Sequence, residues 1–130
     1  MGTVRRQVQI NRSADDVWAL VGDPSTIPQW FPGIVDAIVD GTSRVITTAS
    51  GLPIPEEIIT IDAVQRRFQY HVTASFMAHH LGTIDVFALD DGTSLVSYST
   101  DAQPDAMALI IGGAAGAGLH QLRRLLEGDR

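Results

Sequence analysis

The sequence contains no cysteine, which excludes disulfides, thiolate metal centres and a cysteine nucleophile, and removes the usual signature of a stapled secreted scaffold. It contains no lysine either. All 9 basic residues are arginines, scattered singly or in pairs among 15 acids, for a formal net charge of −6. Such a surface repels phosphate backbones and anionic lipid on average, so nucleic acid is not an expected partner. Long hydrophobic runs are missing as well. The longest uncharged stretch, Ala106 to Leu119, is too short and too rich in glycine and alanine to span a bilayer, so no membrane insertion is expected. The opening MGTVRRQVQI carries two arginines with no apolar run behind them, unlike a signal peptide, and Arg6 breaks a myristoylation pattern. The expectation is one cytoplasmic domain over residues 1–130, a length that suffices to bury roughly two thirds of the unfolded surface.

What is present is ordered by periodicity. Val4, Val8 and Ile10 alternate with Arg5, Gln7 and Gln9, the period of a half-buried strand. The period then changes. Ser13 is a good N-cap, Asp15 and Asp16 suit the positive end of a helix dipole, and Val17, Trp18, Leu20 and Val21 supply an apolar side up to Gly22. DPSTIPQWFPG allows one further short helical turn, from Thr26 to Phe31, fenced by Pro24 and Pro32. Six strands are expected next, over 34–40, 44–49, 57–62, 68–74, 82–89 and 93–100, each rich in β-branched or aromatic residues and separated by turn signals such as DDGTS. Pro104 and Asp105 open a long C-terminal helix whose Ile111, Ala115, Leu119, Leu122 and Leu126 share one side. Gly112, Gly113, Gly116 and Gly118 each cost such a helix about 1 kcal/mol relative to alanine. The expected compensation is space between helix and sheet, that is, a cavity.

The order strand, two short helices, six strands and long helix resembles the helix-grip domains of the START-like or SRPBCC superfamily, with its polyketide cyclase/dehydrase, lipid-transport and birch-pollen-allergen branches. The resemblance rests on SADDVWALVGDPSTIPQWFPG, HLGTIDVFALDDGTSLVSYST and GLHQLRRLLEG taken together. It implies an α+β fold in which a curved seven-stranded antiparallel sheet wraps the C-terminal helix around an apolar ligand. SGLP at Ser50–Pro53 is similar to the gate loop of the plant abscisic-acid receptors, and His79-His80-Leu81 to their latch. Under that likeness Leu52 and Pro53 close a cavity mouth beside His79, His80 and Leu81, and Glu56 looks inward. Thr48, Thr83, Asp85, Tyr98, Ile110, Ala114 and Gly118 then line the cavity. The lysine with which those receptors anchor an acidic hormone has no counterpart here, and Arg44 is the strand-borne cation nearest that role.

Trp30 and Phe31 are candidates for an aromatic wall. Adjacent residues on a strand face opposite ways, so His79 and His80 do not chelate one metal together; neither metal nor cofactor is expected. His79, Asp85 and Glu56 are the candidates for proton transfer, with Asp85 facing inward or outward according to which half of Gly82 to Leu89 is buried. The first expected function is binding of a small hydrophobic lipid, polyketide or isoprenoid-like molecule. Two alternatives stand beside it: a cyclase or dehydratase using the same cavity, and a ligand-gated regulator in which closure of the Leu52 loop recruits a protein partner to a monomer or homodimer.

Overall fold

A computed structural model describes residues 1–128; Asp129 and Arg130, the last two residues of the expected domain, lie outside the described residues. The chain runs β1 (Gly2–Ile10), α1 (Ala14–Val21), a 3-10 helix (Pro24–Gln29), β2 (Ile34–Asp40), β3 (Ser43–Thr48), β4 (Pro53–Asp62), β5 (Arg67–Val72), β6 (His79–Ala88), β7 (Ser94–Gln103) and α2 (Asp105–Glu127). Every strand pairing is antiparallel, in the order β1-β7-β6-β5-β4-β3-β2. This is the helix-grip architecture: one sheet with α2 on its inner face and two short helices bridging β1 to β2.

Local chemistry accounts for the elements. The Ser13 side chain caps α1 by accepting from the Asp16 N–H at 3.1 Å, and Asp23 caps the 3-10 helix by accepting from the Ser25 N–H at 3.0 Å. That helix begins at Pro24, earlier than the expected Thr26, because proline is well suited to a first turn. Strand alternation then builds the core. Val8 and Ile10, Phe68 and Tyr70, Ile84 and Val86, and Val96 and Tyr98 all point inward, onto Ala115, Leu119 and Leu122 of α2.

The largest difference from expectation lies at SGLPIPEE. β4 starts at Pro53 rather than Glu57, so the anticipated loop is a tight hairpin turn. It is closed by Gly51 N–H to Thr48 O at 2.8 Å, Thr48 N–H to Leu52 O at 2.9 Å, and Leu52 N–H to Thr48 Oγ1 at 3.1 Å. Gly51 sits at φ +86°, a backbone conformation that a side chain would strain.

The helix glycines also differ from expectation in their use. A Cβ on Gly112 would stand 2.6 Å from Val4 Cγ1, and one on Gly116 would stand 3.4 Å from the Arg6 side chain. Gly112 therefore admits Val4 of β1, whereas Gly116 faces Arg6 at ordinary contact distance, and Arg6 Nε donates to Gly112 O at 3.3 Å. Gly118 lies under Trp30 and Phe31, where an added Cβ would be in ordinary contact with both rings. The small residues bring the helix close to its neighbours; the empty space lies elsewhere.

Candidate functional site

That space is a cavity of about 390 Å³ between α2 and the half of the sheet formed by β3 to β6. Inward-facing residues supply its walls: Ile46 and Thr48 from β3, Ile54 and Glu56 from β4, Tyr70 and Val72 from β5, and His80 from β6. Met107, Ile110, Ile111 and Ala114 of α2 form the facing wall, and Ile27, Phe31 and Ile34 close one end. Leu52 is 52% exposed and Ile110 64% exposed, so the mouth is rimmed by apolar side chains that meet water. The volume and apolar lining are those of a small-molecule site. A second concavity of about 590 Å³ borders the other side of His80. It is larger but is rimmed by Met1, His71, Thr73, His79 and Asp101 rather than enclosed between sheet and helix, so it has the weaker claim.

The polar groups of the cavity are interlocked. Arg44 and Glu56 are cross-strand partners, with 2% and 4% exposure, and Arg44 Nε donates to Glu56 Oε1 at 2.6 Å. Arg44 Nη1 donates to Pro24 O at 3.0 Å, and its guanidinium lies 5.4 Å from the Phe68 ring centre and 5.0 Å from that of Tyr70. Nη2 has no hydrogen-bond partner, so the two aromatic faces are its compensation. Burial pushes the Glu56 carboxyl above its usual range, against the pull of Arg44. The Tyr70 and Tyr98 hydroxyls are hydrogen-bonded to each other, and burial raises both above the ordinary phenol range. Gly82 makes their meeting possible, because a Cβ there would stand 2.5 Å from the Tyr70 ring.

His80 is held by its backbone neighbour: Nδ1 accepts the Val72 N–H at 2.9 Å, and the ring tilts against Tyr70 with centroids 5.3 Å apart. Its Nε2 has no partner. Burial pulls its pKa down to about 4, with His71 acting in the same direction and Asp101 against it, so the ring is neutral near pH 7. No group of three or more His, Cys, Asp or Glu residues is placed to hold a metal among the described residues.

Of the residues singled out from the sequence, Phe31, Thr48, Leu52, Glu56, His80, Ile110 and Ala114 stand on the cavity wall. The remainder do not. Ile84 and Val86 are buried inward, so the strand period sends Thr83 and Asp85 to the opposite face, where Asp85 pairs with Arg67 at 3.1 Å. Leu81 shares that outer face. His79 is exposed one residue out of phase with His80. Trp30 and Tyr98 are fully packed in the core behind Phe31 and Tyr70, and Gly118 packs on Trp30. Pro53 begins β4 beside the mouth without lining the space.

Arg44's pairing and the walls Tyr70, Val72, Met107 and Ile111 were not singled out in advance. A signal existed for Arg44: it shares strand parity with Ile46 and Thr48, as Glu56 does with Ile54 and Ile58, so the hairpin turn sets the two charges face to face.

The family model for polyketide cyclase/dehydrase and lipid transport matches residues 1–127. The chain belongs to that family. Among solved structures it is similar to XoxI from Bacillus cereus, with 25% identity and a TM-score of 0.91 over 98% of this chain and 97% of that one. It is similar in fold to norcoclaurine synthase from Thalictrum flavum, solved with dopamine and hydroxybenzaldehyde, at 18% identity and a TM-score of 0.75 over 98% and 87% of the two chains. It also resembles the di-domain aromatase/cyclase BexL of the BE-7585A biosynthetic pathway, at 20% identity and a TM-score of 0.80, covering 98% of this chain and 47% of that one. No curated protein matches the sequence. Among the described residues, no helix is long and apolar enough to cross a membrane.

Proposed function

We propose that the protein binds a small hydrophobic molecule of the lipid, polyketide or isoprenoid kind in the cavity between β3–β6 and α2. The observation that carries this reading is a space of about 390 Å³ with almost wholly apolar walls and a few buried polar groups on one side. Desolvation supplies the affinity, and Glu56, His80 and Thr48 orient the ligand while Phe31, Leu52, Ile110 and Ala114 cover it. Membership of a family that includes lipid transport supports the same reading. The test is native mass spectrometry of the protein purified from its source, which should release a copurifying apolar molecule. A chain that carries none and also fails to take up apolar dyes would overturn the proposal.

The upward shift of Glu56 favours a second reading, an enzyme of the cyclase type in which that carboxyl holds a proton for the substrate. His79 and Asp85 face away from the cavity and contribute nothing to it. In this reading Glu56→Gln abolishes turnover of a polyketide-like chain while leaving its affinity nearly intact; equal loss of both would favour simple binding.

A further inference from the structure

The ladder between β5 and β6 stops short of the ends of its strands. Its last pair is Tyr70 with Gly82, and in the same register Val72 would stand opposite His80. There the Val72 N–H is taken by the imidazole Nδ1 of His80, at 2.9 Å, in place of a strand carbonyl. The ring is wedged between two strand ends. Each end is tied to its other neighbour: on the β5 side Thr73 N–H donates to Pro55 O of β4 at 2.9 Å, and on the β6 side Ala78 N–H donates to Gln103 O of β7 at 2.9 Å. The bond from Val72 to His80 ties one lip of this slit to the other.

The two concavities meet at the slit. Val72, Met77 and His80 line both the cavity between sheet and helix and the space beyond His80, where Thr73 and Asp101 stand on the far wall. Met77 and His80 are each 7% exposed, so the partition is closed, but it consists of side chains rather than paired backbone. Methionine is the most adaptable of apolar side chains.

We infer that the slit between the ends of β5 and β6 is a second portal of the cavity, stoppered by the His80 ring, through which a ligand of the proposed kind passes to the outer concavity. This rests on the proposed binding function and adds a route to it.

The stopper carries its own release. Because Nδ1 accepts from Val72, the neutral ring holds its proton on Nε2, and a second proton enters at Nδ1, the atom that makes the bond. Protonation sets one N–H against another and breaks the tie. Burial and His71 keep the ring neutral, while Asp101 pulls the other way. The titratable groups around it are His71 and Tyr70 of β5, His79 of β6, Asp101 of β7, Glu56 of β4 across Val72, and the Met1 ammonium, which pairs with Asp105 of α2 at 3.3 Å. A charged ring is expelled from apolar surroundings, and Asp101 on the outer concavity offers it a partner.

The rate at which the intact chain releases Nile red, a neutral apolar dye, tests the portal. His80→Ala removes the stopper without acid, and at neutral pH it should release the dye roughly tenfold faster than the unaltered chain, the factor that one lost hydrogen bond across the closed slit implies. Adding Thr73→Trp, at an exposed position on the outer concavity, should slow that release severalfold while leaving the front mouth untouched. In the unaltered chain, acid should quicken release with the same midpoint as the loss of the Val72–His80 hydrogen bond followed by NMR, while circular dichroism still shows a folded chain. His80→Phe keeps Glu56 but has no titrating ring, and its release should stay flat over that range. Release from folded His80→Ala no faster than from the unaltered chain, or unchanged by Thr73→Trp, would overturn the portal and leave the front mouth as the exit. If His80→Ala does not fold, the acid comparison decides: acceleration in the unaltered chain alone supports the portal, whereas equal profiles in His80→Phe, or acceleration only as the chain unfolds, overturn it. Failure of the unaltered chain to bind any apolar dye would overturn the proposed function, and the inference with it.

Discussion

The helix α2 meets the two halves of the sheet in opposite ways. Toward β1 and β7 it lies against the strands with no gap, Gly112 filled by Val4 and Gly116 by Arg6. Toward β3 and β4 it stands off, and the interval is the cavity. The closed half is built from small residues and apolar contact. The open half holds the buried ion pair Arg44–Glu56, Tyr70 and the neutral His80, and the Tyr70 hydroxyl meets that of Tyr98 on β7 where the two halves join. Gly112 therefore marks where the helix is pressed most tightly on the sheet. Buried charge marks where the fold has been left unfilled, since an apolar wall offers no other means of orienting a guest.

The largest expected effect breaks the polar half. Arg44→Ala or Glu56→Ala leaves one charge buried and unpaired, and urea unfolding should show a loss of about 3–5 kcal/mol. Replacing both together, Arg44→Met/Glu56→Leu, should restore most of it, because no desolvated charge remains. A single variant losing less than about 1 kcal/mol would mean that water reaches the pair.

Acid should act on the same half through His80. Its folded pKa of about 4 lies below the unfolded value of about 6.5, so between those values the unfolded chain binds more protons and stability rises with pH. The stabilisation tied to neutral His80 is fully present above about pH 6.5 and is lost as pH falls through the folded pKa, by up to about 3 kcal/mol. Glu56, whose folded pKa is raised, works in the opposite sense and offsets part of the loss. His71 and Asp101 are the other titratable groups acting on the ring. Unfolding curves across this range should therefore be flatter for His80→Phe than for the unaltered chain; identical slopes would show that His80 is not neutral and buried.

The closed half was more legible in the sequence than the open one. Alternation in β1, the β-branched residues and flanking turn signals of β7, and the Ser13 cap are local signals, and each placed its element to within a few residues. SGLPIPEE misled because prolines punctuate loops and strand starts alike, and only pairing with β3 shows Pro53 and Pro55 to be within a strand. Gly82 to Leu89 could not be oriented by composition, since both faces carry apolar residues; burial of Ile84 and Val86 sends Asp85 outward. The glycines showed that something approaches α2 closely, but they do not say whether it is a strand or a ligand. Glu56 and His80 stand out in the sequence, yet their relation through Val72 depends on the register of three strands.

A pair of neighbouring glycines sharpens the contrast at smaller cost. Gly112→Ala would force a Cβ to within 2.6 Å of Val4, and overpacking of about 1–3 kcal/mol should outweigh the gain in helix propensity. Gly113, one residue on, has nothing within 4 Å of an added Cβ, so Gly113→Ala should stabilise by up to about 1 kcal/mol in thermal unfolding. Equal effects at both positions would mean that α2 is not pressed against β1.

The smallest effect is expected at the mouth, and it separates ligand contact from folding. Leu52 is held at the turn by backbone bonds to Thr48, and its side chain is half exposed, so its truncation removes little from the core. Leu52→Ala should leave urea unfolding within about 0.5 kcal/mol of the unaltered chain. A ligand that covers this side chain buries the remaining half, a contribution of about 1 kcal/mol, so affinity for an apolar dye should fall severalfold. Loss of stability without loss of affinity would make Leu52 a core residue of the turn. Loss of affinity alone gives the apolar rim its meaning, because a side chain that the fold does not need is kept at the one place where a bound molecule would bury it.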